Sequence, residues 1–312
     1  MSSASVFARE ARSILTRTGG YLRGFTHSLQ PYSGCEFSCT YCYVRELAVQ
    51  RANPYGLPWS SWIAPKANAA SLLRRDAERG RLDRARIFCS SATDPYTPLE
   101  RALRLTRGCL EVMAEHPPEA LLLQTRSPLV LRDLDLLARI PRLWASMTLC
   151  TDDERVRRAL EPNAPGTKTR LQALGRLRAA GIRTQAAVAP LLPCDPARLA
   201  EQLDPVVDRV VVDDFFRGDG AGGRRSGAAL AKLRAMGFGC WTEPGYADEA
   251  IGVLRRLLGE DRVLLSKEGF SAVGGEGRVA ARPQGSRALG QGRPLGGTPG
   301  SARRADPIDP LS

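Results

Sequence analysis

The amino-acid sequence predicts an α/β protein, folded as a partial (β/α)6 TIM-type barrel with parallel strands and followed by a disordered C-terminal tail. Short apolar segments alternate with segments of helical period along most of the 312 residues. Gly181 and Gly237 follow two of the helical segments, at the position where helices commonly end. From residue 269 onwards the apolar period stops.

The alternation assigns each element in turn. About six strand–helix pairs precede residue 215, which is too few to close an eight-stranded barrel and indicates an open one. The expected strands are residues 86–91, 120–125, 143–150, 182–189, 206–212 and 262–265, and the expected helices are residues 44–51, 99–115, 129–140, 169–180, 197–203, 226–236 and 247–258. Functional groups in such a sheet gather at the carboxyl ends of the strands, where we expect the site.

Composition divides the chain into an N-terminal lead-in (1–26), a core domain (27–268) and a tail (269–312). The tail is rich in Gly, Pro, Ser, Ala and Arg, and buries too little apolar surface to offset the entropy of ordering it. No apolar run is long enough to cross a membrane, so no membrane partner is expected. The first 20 residues lack the apolar region of an export signal, which predicts a cytoplasmic location.

The net charge of +12 predicts attraction to anionic partners, among which nucleic acid is a candidate. The lysines are few, and the other basic residues are arginines. A general bias toward arginine explains this composition as well as a selected nucleic-acid-binding face does, so both interpretations stay open. The lysines are Lys66, Lys168, Lys232 and Lys267.

Three of the eight cysteines, Cys35, Cys39 and Cys42, lie in one short segment with the spacing C-x3-C-x2-C. Iron–sulfur clusters are held by thiolates, usually four, so three close cysteines can bind three corners of a [4Fe–4S] cubane. The remaining iron is then open to a small molecule. A structural zinc site is the alternative, but zinc usually takes four ligands, and neither His27 nor His116 lies beside the motif.

The segment from Gly34 to Tyr43, GCEFSCTYCY, resembles the cluster-binding motif of the radical S-adenosylmethionine (SAM) superfamily, including an aromatic residue before the last cysteine. The resemblance implies that the open iron chelates the amino and carboxylate groups of SAM. It also implies that one electron cleaves SAM to a 5′-deoxyadenosyl radical, which abstracts a hydrogen atom. A reductant such as flavodoxin or ferredoxin would supply the electron.

Further segments resemble the spore photoproduct lyase-like branch of this superfamily, whose members are often described as DNA repair photolyases. The branch name alone does not fix a reaction. The segments are SLQPYSGC (28–35), SATDPYTPLE (91–100), LTR (105–107), QTRSPL (124–129), RDLDLL (132–137), EPNAP (161–165) and RL (170–171), which together cover roughly residues 27–215.

The resemblance also implies roles for individual residues. Thr93 falls where the branch places a hydroxyl on the amino and carboxylate groups of SAM. Arg126 takes the place of a basic residue on the SAM carboxylate, which a guanidinium can bind in bidentate fashion. Thr148 would meet the ribose or methionyl end, and the backbone at Tyr43 would meet the adenine.

One departure from the branch concerns the hydrogen-atom donor. The lyase has a donor cysteine where this chain has Ser91, whose O–H bond is too strong for that role. Cys89 lies two residues earlier, on the expected same face of a strand, and is the candidate substitute. Trp59 and Trp62 would either pack on the barrel wall or stack on a planar substrate.

The leading hypothesis is a radical SAM enzyme of unknown substrate. Two alternatives stay open: repair of a nucleic-acid lesion in the manner of spore photoproduct lyase, and a non-catalytic iron–sulfur electron carrier or sensor. The repair hypothesis predicts salt-dependent affinity for DNA. The carrier hypothesis predicts a cluster that does not respond to SAM.

Overall fold

The computed structural model describes residues 4–218 and 220–271. The strands are β1 (Ser5–Val6), β2 (Leu15–Arg17), β3 (His27–Leu29), β4 (Tyr32–Gly34), β5 (Trp62–Pro65), β6 (Arg86–Cys89), β7 (Ala120–Thr125), β8 (Leu143–Thr148), β9 (Arg183–Val188), β10 (Arg209–Val212) and β11 (Val263–Leu265). The α-helices are α1 (Ala48–Arg51), α2 (Ala69–Glu78), α3 (Glu100–Leu103), α4 (Leu105–Glu115), α5 (Leu134–Leu137), α6 (Glu154–Leu160), α7 (Thr167–Ala179), α8 (Pro196–Leu203), α9 (Phe215–Gly218), α10 (Gly227–Ala235), α11 (Ala247–Leu258) and α12 (Ser266–Ser271).

The main sheet has eight strands in the order β11-β10-β9-β8-β7-β6-β3-β2. Every neighbouring pair is parallel except β2 and β3, which are antiparallel. Helices connect the successive parallel strands from β6 to β11. The expected α/β class with a parallel-strand partial barrel is therefore confirmed.

Alternate residues of each strand pack on opposite faces of the sheet, because side chains along a strand alternate in direction. In β7, Leu121 and Leu123 belong to the large core that includes residues of the helices. Leu122 faces the barrel interior together with Phe88 and Trp144. Both faces of the sheet are thus apolar, which explains why the parallel strands appear in the sequence as continuous hydrophobic runs.

Three expected helices are interrupted in the structure. Residues 99–115 divide into α3 and α4 at Arg104, whose φ of 52° is left-handed and ends the first helix. Residues 44–51 and 129–140 each begin as a 3-10 helix and continue as a single α-helical turn. Apolar spacing does not distinguish 3-10 from α geometry in such short segments, so periodicity predicted one continuous helix in each case.

A smaller sheet, in the order β1-β5-β4, lies outside the expected elements. It carries the cysteine loop, because β4 ends at Gly34 and Cys35 follows directly. The β5 strand that supports it, Trp62–Pro65, and helix α2 were not among the elements expected from the sequence. The strand is only four residues long and ends in proline, so it gives little periodic signal.

Both ends of the described chain contribute to the fold. The lead-in supplies β1, β2 and a 3-10 turn at Gly20–Leu22, and the Tyr21 ring of this turn lies 6.1 Å from that of Phe270. Gly269 and Phe270 are buried in α12, so residues 269–271 belong to the folded core rather than to the tail. The remainder of the expected tail, 272–312, lies outside the described residues. Within the described part of the chain, none of the helices is long and apolar enough to cross a membrane.

Candidate active site

A cavity of about 560 Å³ opens at the carboxyl ends of the parallel strands. Its wall is formed by the cysteine loop together with residues at or just after the carboxyl ends of β6, β7, β8, β9 and β10. Ligand cavities in proteins commonly measure roughly 300–1,000 Å³, so this one has room for a cofactor or a small substrate. The position matches the sheet edge at which the sequence placed the functional site.

The cysteine loop depends on Gly34. This residue has a φ of +78°, in the region that favours glycine. A Cβ at this position would also lie inside the contact distance of the Trp62 carbonyl oxygen and close to the indole of the same residue. The positive φ of Gly34 lets the backbone turn tightly before Cys35, and the close approach of β5 is a second reason for the glycine.

Cys35, Cys39 and Cys42 all line the cavity as free thiols. Burial raises the pKa of Cys35 and Cys42 to about 11 and that of Cys39 to about 12. The charge of a second cysteine of the set raises the pKa of each thiol further. They pack among aromatic and aliphatic side chains, among them Phe37 and Tyr41. The site therefore presents three sulfur donors among mostly apolar neighbours.

This donor set fits a [4Fe–4S] cluster, because such clusters are held by cysteine thiolates. Among residues 4–218 and 220–271, no group of three or more His, Cys, Asp or Glu side chains is arranged to hold one metal ion. A cubane carries a separate iron at each corner, so its thiolates surround a volume rather than converge on a point. Three thiols around one apolar-walled cavity meet that requirement.

Arg126 is a charged side chain of the cavity wall that contacts one of the three thiols. Its Nη1 lies 2.6 Å from Cys39 Sγ and donates a 3.1 Å hydrogen bond to the Tyr41 hydroxyl. Its backbone N–H donates to the Asp94 carboxylate at 2.8 Å, and its Nε lies 3.9 Å from the same carboxylate. Arg126 thus contacts a proposed cluster ligand directly, a contact that the sequence did not indicate.

A buried ion pair lies behind the cysteine loop. Arg170 donates a short hydrogen bond to Glu161, and it also donates to the Thr148 carbonyl oxygen at 3.0 Å. Glu161 in turn accepts a short hydrogen bond from the Tyr41 hydroxyl and lies 3.5 Å from Arg126. Burial alone would raise the pKa of Glu161, but Arg170 and Arg126 outweigh it and lower that pKa to about 2. Glu161 is therefore a buried anion that joins the cysteine loop to β7 and α7.

Other candidate residues from the sequence also lie in the wall. Thr93, Thr148 and Tyr43 line the cavity together with Arg126. The Thr148 hydroxyl accepts a 2.8 Å hydrogen bond from Gln124, and the Tyr43 hydroxyl donates one of the same length to the Ser91 carbonyl oxygen. The structure therefore brings together the candidate SAM contacts and the three cysteines.

Cys89 does not line this cavity, and its role as a hydrogen-atom donor stays a prediction. Strand β6 ends at Cys89, so the strand alternation that was expected to place Cys89 and Ser91 on one face does not continue to Ser91. Cys89 is buried in the large core near Cys109 of α4, and burial raises its pKa well above the ordinary value. Ser91 itself lines the cavity.

The two tryptophans pack rather than remain free for stacking. Trp59 and Trp62 meet edge to face with ring centroids 5.9 Å apart. The Trp62 indole N–H donates to Gln50 at 3.0 Å. Of the pair, Trp59 also lines the cavity.

Two residues of the cavity wall contact each other, and the sequence did not indicate this contact. Tyr21 comes from the lead-in and Asp213 follows β10, and the Tyr21 hydroxyl donates a short hydrogen bond to the Asp213 carboxylate. Burial raises the pKa of Asp213 to about 6. The acidic pair at residues 213 and 214 was noticeable at a strand end, whereas nothing in the sequence pointed to Tyr21.

Comparison with known proteins gives a consistent result. The family model described as the Radical SAM superfamily matches residues 29–194 of this chain. An uncharacterized protein of Methanocaldococcus jannaschii is 31% identical over 170 residues, which cover 54% of this chain and 62% of the relative. The radical SAM Nα-GlyT isomerase of Pseudomonas phage M6 is 28% identical over 192 residues, covering 60% of this chain and 38% of the relative. The chain therefore spans less than two thirds of the length of either curated relative.

Solved structures show the same fold. Spore photoproduct lyase structures superpose with a TM-score of 0.55 at 14% identity, covering 84% of this chain and 81% of the lyase. One of them is a lyase variant with bound AdoMet, which is SAM, and dinucleoside spore photoproduct. At this identity the likeness concerns the fold.

Proposed function

This chain belongs to the radical SAM superfamily, and from that premise we propose that it is an enzyme that binds a [4Fe–4S] cluster on Cys35, Cys39 and Cys42 and cleaves SAM reductively to generate a 5′-deoxyadenosyl radical. The observation that carries the proposal is the convergence of the three thiols on one cavity at the carboxyl ends of the parallel strands. The bound cluster supplies one-electron chemistry and an open iron for SAM.

The residues of the chain have separable tasks in this proposal. The three cysteines hold the cluster, and the packed side chains around them keep water away from it. Thr93 and Thr148 present hydroxyl groups in the same cavity, where they can bond the polar groups of SAM. The backbone at Tyr43 is the proposed contact for the adenine, and Arg126 for the SAM carboxylate.

The test is an anaerobic assay. We expect the protein reconstituted with iron and sulfide and then reduced to show an EPR signal that SAM changes, and to form 5′-deoxyadenosine. Cys39→Ala should abolish both effects. Cys240→Ala is the matched control, because Cys240 is exposed and lies outside the cavity wall, so it should behave as the wild type.

The same assay separates the alternatives. A cluster that forms but neither binds nor cleaves SAM would favour the electron carrier or sensor and remove the assignments of Thr93, Arg126, Thr148 and Tyr43. Zinc in place of iron in the purified, anaerobically handled protein would favour the structural metal site. An electron-donor requirement can be tested by replacing dithionite with flavodoxin or ferredoxin.

Nucleic-acid lesion repair or modification is a second candidate, favoured by the fold shared with spore photoproduct lyase. Its substrate would reach the cavity only after leaving a base stack, which costs a few kcal/mol. The hypothesis predicts DNA binding that weakens steeply as salt rises, because phosphate contacts release counterions. Absence of DNA binding at low salt would refute it without affecting the SAM-cleavage proposal.

A further inference from the structure

The guanidinium of Arg126 lies directly against one sulfur of the cysteine set. Nη1 is 2.6 Å from Cys39 Sγ, whereas a second arginine that contacts this cysteine, Arg45, donates to its backbone carbonyl oxygen at 3.1 Å. Arg126 therefore interacts with the atom that would bind iron, and Arg45 with an atom that would not. The two side chains form a natural comparison.

The position of Arg126 is held from several sides. The Asp94 carboxylate fixes its backbone N–H, the Tyr41 hydroxyl accepts from Nη1, and the Glu161 carboxylate lies 3.5 Å away. Glu161 is itself fixed by Arg170, whose side chain is 1% exposed. The charge beside Cys39 is thus held by a buried network and not by a mobile surface side chain.

The geometry points to Arg126 as a positioning residue that sets the reduction potential of the cluster through Cys39, an inference that rests on the proposed function. Reduction of the cluster adds one electron and increases the negative charge on its sulfurs. A fixed cation and an N–H donor at one of those sulfurs stabilise the reduced state more than the oxidised state. Arg126 therefore makes the cluster easier to reduce, and its contact with Cys39 needs no SAM.

The same network explains why the sequence motif spans several elements. Tyr41, the aromatic residue before the last cysteine, orients Arg126 through its hydroxyl, and Glu161 of the EPNAP segment accepts from that hydroxyl. Arg170, from the RL segment, donates the last hydrogen bond of this network, to Glu161. Three separate sequence segments thus support one guanidinium at one sulfur.

The experiment is a redox titration of the reconstituted cluster, monitored by EPR without SAM. Arg126→Gln should give a midpoint potential clearly more negative than that of the wild type. Arg126→Lys retains the charge but not the planar guanidinium group, so its midpoint potential should lie between the two. Arg45→Gln is the matched control, because it removes an equal charge near Cys39 without removing a contact to sulfur. Its shift should be smaller than that of Arg126→Gln.

A potential for Arg126→Gln equal to that of the wild type, or a shift no larger than that of Arg45→Gln, would overturn the inference. If Arg126→Gln fails to hold a cluster, the residue also supports folding of the site, and a second measurement is needed for that outcome. It is pulsed EPR of the reduced Arg45→Gln protein labelled with 15N-arginine, which tests whether Arg126 contacts the cluster. A 15N coupling to the cluster is expected from Arg126, and its absence would overturn the inference. Failure of the wild type to form a cluster would instead contradict the proposed function itself.

Discussion

The Tyr21 hydroxyl donates a hydrogen bond to the Asp213 carboxylate across a separation of 192 residues. Both side chains line the cavity that holds the three cysteines. The contact joins the N-terminal 3-10 turn to the end of β10, and Ser266 of α12 approaches the same carboxylate at 3.4 Å. The two ends of the folded core therefore meet at one buried acid in the cavity wall.

Tyr21→Phe removes one donor to this acid and keeps the ring. We expect the free energy of unfolding to fall by about 1–3 kcal/mol, because a buried carboxyl group loses a hydrogen-bond partner. Urea denaturation measures the change. Tyr55→Phe is the control, since Tyr55 packs by stacking on Phe7 with ring centroids 3.9 Å apart, and it should change stability much less. An equal loss in both variants would mean that the Tyr21 hydroxyl contributes no more to stability than the Tyr55 hydroxyl.

The raised pKa of Asp213 predicts a specific pH dependence of stability. Burial raises its pKa from 3.8 to about 6, so the folded protein holds this proton more tightly than the unfolded chain. Stability from this group is therefore present below about pH 4 and is lost as the pH rises through about 6, by an amount on the order of 3 kcal/mol.

Asp213→Asn should remove that dependence. The stability of the variant relative to the wild type should increase between about pH 4 and pH 7, as measured by urea denaturation across that range. Asp261→Asn, at an exposed position, is the control for the substitution itself. Parallel pH profiles for the wild type and Asp213→Asn would show that Asp213 keeps an ordinary pKa.

Glu161→Gln tests the buried ion pair behind the cysteine loop. The change leaves Arg170 without its buried counter-charge, for which a loss of about 3–5 kcal/mol of stability is expected. Because Glu161 also fixes Tyr41, less iron should be retained after reconstitution. Glu249→Gln, on an exposed position of α11, should change stability by no more than about 0.5 kcal/mol. Comparable stabilities for the two variants would contradict this account.

Gly34→Ala tests the turn into the cysteine loop. Alanine at a left-handed position costs roughly 1–2 kcal/mol, and here its Cβ would also collide with the backbone of β5 at Trp62. We expect a larger loss of stability and a lower iron content than in Gly56→Ala. Gly56 has a similar φ of +66° and open space around it, so it carries the conformational cost alone. Equal iron content in the two variants would show that the loop tolerates a displaced β5.

The location of Cys89 can be checked by differential alkylation. In the folded protein, Cys240 is exposed and should react with iodoacetamide, whereas Cys89 is buried in the core and should stay unmodified until the chain is unfolded. Mass spectrometry of peptides before and after denaturation gives the result. Rapid labelling of Cys89 in the native state would support its role as a hydrogen-atom donor.

The local features of this protein could be predicted from its amino acids. The spacing of the three cysteines can be read directly from the chain, and local periodicity indicated the alternation of strands and helices and the end of α11 at Leu258. The segments EPNAP and RL marked Glu161 and Arg170 as part of a family pattern. Their sequence gave no reason for the pairing.

Which distant residues meet became clear only from the packed structure. It placed Arg126 against Cys39 and joined Tyr21 to Asp213, and it brought Ser91 rather than Cys89 to the cavity, because β6 ends at Cys89. Such contacts depend on how strands and loops far apart in the chain are packed around one cavity. Local periodicity carries no information on those distances, since the same pattern is compatible with many arrangements of the loops.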